Sequence, residues 1–374
     1  MASFRSGPGS IRSGRLMSDS FELTVLDVVE ETGDARSVVL DPAEHRELFR
    51  YKPGQFLTVA VPSDRTGLVA RSYSLSSTPV DEEGPLTITV KRTPDGYASR
   101  WICKELHAGD SLRVLPPAGI FTPKDLDVNL LLFAGGSGIT PIMSIIRTAL
   151  ARGSGRIVLF YGNRDERSVI FAGALSKLAA EHPDRLQVLH WLESVQGLPT
   201  QEQLRSFASQ YTDREAFVCG PTPFMKAATE ALKELEFPRE RRHQEKFVSL
   251  GGNPFEAGAE RVPDVPDGID HSDPDRHAEA SGPPAHLLVN LDGEDYDFND
   301  WMPGTTILEH LESKGIKAPY SCREGECSAC AVRLLEGEVE MRNNDILEDE
   351  DLADGIRLGC QSEAVTEKVR VTYS

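Results

Sequence analysis

From residue 21 to about residue 115 the apolar positions fall in short runs cut by turn residues. Stretches 21–28, 37–40, 55–61, 71–75, 86–91 and 111–115 are rich in Val, Leu, Ile and Thr, with Pro53-Gly54 and Glu83-Gly84 between them. Runs of this length between turn signals predict strands. Six strands at short spacing predict an antiparallel barrel. One stretch, 97–106, has helical spacing instead.

The period then changes. Continuous apolar runs at 130–134, 157–161, 186–190 and 217–219 predict buried strands, and 141–151, 172–181, 201–209 and 224–235 predict helices. Strands alternating with helices make a parallel sheet, whose ligand site lies at the carboxyl ends of its strands. Residues 251–284 hold six Pro, five Gly and eight acids and read as a flexible linker. After it come a hairpin at 286–291 and 295–298, a helix at 306–314 and a closing strand at 369–373. The expected division is a disordered tail (1–18), a barrel domain (19–124), an α/β domain (125–250), the linker (251–284) and a small α+β module (285–374). No internal repeat is visible.

Charge sharpens that division. The 374 residues carry a net charge of −19, and residues 286–374 alone hold 20 acids against 8 bases. A chain this acidic does not track nucleic-acid phosphates. No run approaches the ~18 apolar residues of a membrane span. The first twenty residues, rich in Ser, Gly and Arg, lack the apolar core of a secretory signal. The expectation is a cytoplasmic protein with an unstructured N-terminal tail.

Four of the six cysteines cluster near the end: Cys322-x4-Cys327-x2-Cys330, then Cys360 after 29 intervening residues. This is the spacing of a plant-type [2Fe–2S] ferredoxin, in which three thiolates come from one tight loop and the fourth from afar. A structural zinc site pairs two short knuckles, and no second one surrounds Cys360. Small residues in the loop (Gly325, Ser328, Ala329, Ala331) let backbone N–H groups approach the cluster sulfurs.

Two further motifs suit dinucleotides. Arg71-Ser72-Tyr73-Ser74 ends a barrel strand. Its guanidinium can pair with a phosphate, its phenol can pack on an isoalloxazine and Ser74 can reach a ring nitrogen. Taken alone, the same four residues also describe a solvated charge beside a half-buried ring. Lys91 and Gly96-Tyr97-Ala98-Ser99 add a second phosphate-binding segment at a helix start. Then 130–134 runs into Gly135-Gly136-Ser137-Gly138-Ile139-Thr140-Pro141, a strand, glycine turn and helix that form an anion site. Pro141 stands where a dinucleotide fingerprint would have its third glycine. Cys219-Gly220-Pro221 ends another strand and leaves room for a nicotinamide, although Cys219 also suits a plain core thiol. Arg164 can pair with a 2′-phosphate, but Asp165 and Glu166 oppose that, so NADH is favoured slightly over NADPH.

In this order the motifs resemble the ferredoxin–NADP reductase superfamily with a plant-type ferredoxin domain fused at the C-terminus, over roughly residues 21–373. Residues 89–99, 163–171 and 188–194 are most similar to the reductase components of Rieske-type 3-ketosteroid 9α-hydroxylases, with phenylacetyl-CoA epoxidase reductases as the nearest rival. The resemblance implies a flavin barrel, a nucleotide domain and a ferredoxin-like (β-grasp) domain. It implies FAD at Arg71, Tyr73, Ser74, Gly96 and Ser99, to which the local reading above adds Lys91. It implies the nicotinamide nucleotide at Gly136, Gly138, Thr140, Pro141, Gly220 and Pro221, with Arg164 added by the local reading above. Glu245 and Phe247 then stand beside the flavin, with Ser74, Cys219 and Glu245 at the reacting centre and Cys322, Cys327, Cys330 and Cys360 on the iron. The implied acceptor is a separate terminal oxygenase of the Rieske type. Ser328 departs from the Gly of many relatives. A redox sensor, or a zinc-stabilised module that only holds nucleotide, is the non-enzymatic alternative.

Overall fold

A computed structural model describes residues 20–63, 67–93, 96–247, 255, 283–291, 293–316, 318–320, 323, 325, 328–347 and 349–373. The expected tail (1–18), most of the expected linker (251–284), Cys322 and Cys327 lie outside the described residues.

The first lobe is a six-stranded sheet of β1 (Phe21–Thr32), β2 (Ala35–Asp41), β3 (Phe56–Ser63), β4 (Gly67–Ser74), β5 (Leu86–Lys91) and β6 (Ser111–Val114). Its order is β4-β3-β6-β1-β2-β5, all antiparallel. A bridge between Leu75 and Ile88 joins the two edges, so the sheet closes. Closure removes the unpaired edges and wraps alternate apolar residues such as Leu23, Val38, Val59 and Val114 into a core. Helix α1 (Tyr97–Glu105) plugs one end with Ile102 and Ala98.

The second lobe is a parallel sheet, order β11-β10-β7-β8-β9, of β7 (Leu130–Gly135), β8 (Ile157–Asn163), β9 (Leu186–Leu192), β10 (Glu215–Cys219) and β11 (Arg242–Glu245). Flanking it are α2 (Ile139–Arg152), α3 (Ala172–Glu181), α4 (Glu193–Gln196), α5 (Gln201–Ala208) and α6 (Thr222–Glu234). β7 is buried along its whole length, as its unbroken apolar run requires. β11 has no apolar run (Arg-His-Gln-Glu), and no strand is expected there from pattern. It is held by parallel pairing with β10, which sets Glu245 opposite Cys219.

The third lobe is a mixed sheet, order β13-β12-β18-β14-β16, with a separate pair β15–β17. Its strands are β12 (Ala285–Leu291), β13 (Glu294–Trp301), β14 (Ala331–Glu336), β15 (Val339–Met341), β16 (Ile356–Leu358), β17 (Ser362–Ala364) and β18 (Lys368–Thr372). β12 and β18 pair in parallel at its centre, and α7 (Ile307–Ser313) packs Ile307, Leu308 and Leu311 on one face. Thr306 and Glu309 cap α7 reciprocally.

Two contacts seat this lobe on the others. Ala329 of the cysteine loop packs with Phe56, Ala60, Ala70 and Leu115 of the barrel lobe. Phe255 joins the same cluster and is 5% exposed, so one residue of the span read as a flexible linker is buried against the barrel lobe. On the opposite side, the acidic helix α8 (Asp349–Ala353) meets Lys233 at the end of α6 and Arg239 and Arg242 beyond it.

Candidate functional site

The glycine turn after β7 is held against the end of β10. A Cβ on Gly138 would lie 2.2 Å from the Cys219 carbonyl oxygen, and Gly136 has φ +53°. Only glycine allows this approach and this backbone. Thr140 is buried and donates to the Ser137 carbonyl, and Tyr161 donates to the Gly136 carbonyl. Pro141 lies buried in the first turn of α2. Thr140 and Pro141 therefore brace the turn rather than present polar atoms to a ligand. A Cβ on Gly220 would lie 3.0 Å from the Gly135 backbone, closer than ordinary van der Waals contact, and Pro221 is exposed beside them.

Lys91 reaches the same turn from the barrel lobe, its ammonium 3.7 Å from where a Cβ on Gly136 would stand. Burial lowers its pKa, with Asp34 acting against that. Lys91 also lines a cavity of about 540 Å³ with Asp34, Arg92, Thr93, Arg100, Lys104 and Arg164. Five cations around one space suit the phosphates of a dinucleotide. Arg164, just past β8, does not stand free: its guanidinium pairs with Asp34 at 2.8 Å. Asp34 comes from the β1–β2 turn of the other lobe, and no sequence signal links the two.

Gly96 caps α1, and a Cβ there would collide with the Thr93 and Ser99 hydroxyls. Ser99 is buried, accepts from the Thr93 amide and donates to the Gly96 carbonyl. Its hydroxyl shapes the turn, and the helix amides remain for an anion.

Arg71 and Tyr73 are half-buried on β4, with Ser74 buried opposite them. The Tyr73 phenol packs against the barrel core, and burial raises its pKa. Ser74, Glu245 and Phe247 line one small cavity of about 30 Å³, together with Phe56, Ser72, Lys246 and Ser328. The Glu245 carboxyl is enclosed there, and burial pushes its pKa up to about 8. Cys219, its strand neighbour, is fully buried, and burial with the nearby Glu245 raises the thiol. Its side chain belongs to the core, and its carbonyl end shapes the turn. Phe247 is 49% exposed, an unusual state for a phenyl ring at a cavity rim and a suitable cover for a planar ligand.

In the third lobe Cys330 and Cys360 are buried with their sulfurs 3.2 Å apart. That is far beyond a disulfide bond, and the two thiols converge as ligands of one metal centre would. The Gln361 side-chain amide lies 3.5 Å from the Cys360 sulfur and donates to the Arg323 carbonyl. These features fit an iron–sulfur cluster. Lining residues that sequence reading did not single out include Asp34, Phe56, Arg100, Lys104 and Lys246.

Comparison with known families assigns the three lobes. Residues 22–122 match an oxidoreductase FAD-binding domain, 132–230 an oxidoreductase NAD-binding domain and 289–365 a 2Fe-2S iron-sulfur cluster binding domain. A 3-ketosteroid-9-alpha-monooxygenase ferredoxin reductase component from Mycolicibacterium smegmatis is 52% identical over 96% of this chain and 98% of its own. The chain belongs to this family of oxygenase reductase components. One component of the 1,2-phenylacetyl-CoA epoxidase of Escherichia coli, the rival in sequence, is 31% identical over 96% of this chain and 98% of its own. Phthalate dioxygenase reductase has the same fold, at TM-score 0.55 and 23% identity over 95% of this chain and 98% of that one. Like other members of the family, the protein is an oxidoreductase with FAD-, NAD- and 2Fe-2S-binding domains. Among the described residues no helix is long and apolar enough to cross a membrane.

Proposed function

We propose that the protein carries electrons from NADH to a separate Rieske-type oxygenase that hydroxylates a 3-ketosteroid, and that it works in the cytoplasm. The observation that carries this reading is the small cavity where Ser72 and Ser74 of the barrel, Glu245 and Phe247 of the nucleotide lobe and Ser328 of the cysteine loop meet. What supports the reading is that residues of all three lobes meet at this point, not the size of the cavity, which has room for about one water. FAD, when bound, accepts a hydride's two electrons together and gives them up one at a time.

The chain's own residues then have distinct tasks. Arg71 and the α1 amides at Gly96 bind phosphate, Tyr73 and Phe247 flank the ring, and Ser74 reaches its edge. Gly136 and Gly138 admit the nicotinamide nucleotide's pyrophosphate to the strand ends, with Lys91 neutralising it. Glu245, neutral at pH 7, holds its proton in the cavity and presents no charge to an arriving hydride. Cys322, Cys327, Cys330 and Cys360 ligate the irons. The pairing of Arg164 with Asp34 supports NADH: a 2′-phosphate would have to displace one carboxylate and face Asp165 and Glu166 nearby.

An anaerobic absorbance titration with NADH, then NADPH, tests the proposal. The expected result is joint bleaching of flavin and iron–sulfur bands at an NADH concentration far below that needed for NADPH. A colourless protein, or bands indifferent to both nucleotides, would defeat it. Reoxidation by a purified steroid oxygenase, with product formed, tests the acceptor.

A further inference from the structure

The hydroxyl of Tyr373 is buried and has no hydrogen-bond partner among the described residues. Buried hydroxyls are almost always paired, so an orphan points to a group that arrives later. The position of this one is closely fixed. The Tyr373 amide donates to the Asn290 carbonyl at 2.9 Å, which anchors the residue just past β18. The ring packs in the core cluster that contains Cys330 and Cys360. A Cβ on Gly359 would lie 2.8 Å from the Tyr373 oxygen and 3.1 Å from the Cys330 carbonyl oxygen. Glycine at 359, immediately before Cys360, is thus what leaves room for the hydroxyl beside the segment that carries this ligand. Gly359 in turn donates its amide to the Cys330 carbonyl at 2.9 Å, which ties the two ligand segments together at this point. A phenol ordinarily titrates near 10, so the group keeps its proton and is a donor at neutral pH.

We propose that Tyr373, lying against Gly359 in the core cluster that holds Cys330 and Cys360, donates its O–H to sulfur of the iron–sulfur site and thereby raises the site's reduction potential. The inference rests on the iron–sulfur reading of the four cysteines. A hydrogen bond to thiolate or sulfide stabilises the more negative, reduced state more than the oxidised one. Tyr373 is a positioning residue in this scheme, since it acts on the electron acceptor through its ligands. The Gln361 amide, already committed to the Arg323 carbonyl, is a weaker donor to Cys360 at 3.5 Å.

The test compares the full-length, cofactor-loaded protein with Tyr373→Phe, which keeps the ring and removes only the oxygen. The midpoint potential of the cluster is read by anaerobic dye titration with electron paramagnetic resonance. The expected result is a shift of about tenfold toward the oxidised form, or ~59 mV for a one-electron couple. A potential equal to that of the wild type overturns the proposal. Resonance Raman spectra of the wild type in heavy water provide a readout independent of any variant. Iron–sulfur stretches that shift with deuteration and cease to shift in Tyr373→Phe support the donor, and stretches indifferent to deuteration overturn it. A wild type that binds no iron would defeat the underlying cluster reading and the proposal with it, whereas an iron-loaded variant of unchanged potential defeats the role of Tyr373 alone.

Discussion

Arg239, beyond helix α6 of the nucleotide lobe, pairs with Asp351 of helix α8 in the ferredoxin lobe. Around this pair Lys233 holds Glu350 at 2.7 Å, and Arg242 approaches the same carboxylate at 3.4 Å. The Lys233 ammonium, with Arg242 and Arg239, holds the Glu350 carboxyl below its usual range.

This network predicts a lobe seating that depends on charge. Lys233→Glu with Arg239→Glu should weaken docking by about 1–2 kcal/mol, an amount limited by partial solvent exposure. Small-angle scattering at low salt should show a larger radius of gyration than the wild type, and Glu350→Lys with Asp351→Arg added to the same chain should reverse it. Identical scattering curves for wild type and double variant would exclude a seating role for the network.

Glu245 predicts a pH effect of definite sign. Its carboxyl titrates near 8 in the folded chain against an ordinary 4.5. A raised carboxyl contributes stability below its unfolded pKa, and that contribution is lost as pH rises toward the folded one. Between pH 4.5 and 7 the loss is about 3 kcal/mol at 1.36 kcal/mol per pH unit. Glu245→Gln should lack it, so thermal melts of wild type and variant should diverge from pH 5 to pH 8, with the wild type falling. Parallel curves would count against a buried neutral carboxyl.

Asp34 predicts a change of donor. Asp34→Asn releases Arg164 and removes one negative charge from the cationic cavity. The ratio of kcat/KM for NADPH to that for NADH should rise roughly tenfold, equivalent to about 1.4 kcal/mol. Binding of 2′,5′-ADP relative to 5′-ADP, measured calorimetrically, should rise in parallel. An unchanged ratio in both assays would remove Asp34 from donor selection.

Cys360→Ser predicts a clean separation of the two redox functions. The variant should lose the iron–sulfur absorbance while its flavin still bleaches with NADH, because the barrel and nucleotide lobes have cores of their own. Reduction of the oxygenase should fall to background. Loss of flavin binding as well would show that the third lobe is needed to hold it.

Much of this was legible along the chain, and the reasons differ by element. β7 and α2 were readable because a buried strand and a buried helix leave long apolar signatures. Cys330 and Cys360 were readable because ligand spacing is a sequence property. β11 was not, since Arg242 to Glu245 carry no apolar period and owe their conformation to pairing with β10. Thr140 and Ser99 were readable as site residues but not in their roles, because which way a hydroxyl turns depends on a neighbouring carbonyl. Asp34 was invisible because 130 positions separate it from Arg164. Phe255 was hidden by its setting, a single phenylalanine in a proline- and acid-rich stretch, whose ring packs against another lobe.

The seat of the cysteine loop has a consequence for building chimaeras. Ala329 lies 3% exposed among Phe56, Ala60 and Ala70, directly beside Cys330. A ferredoxin grafted from elsewhere would have to bring a methyl-sized side chain at this one position, together with the acids of α8 on its far flank. A bulkier residue beside the third cysteine would prop the transplant off the barrel and lengthen the electron's jump, however well the foreign module folded and held its iron. The size of one side chain thus sets which modules are interchangeable in this architecture.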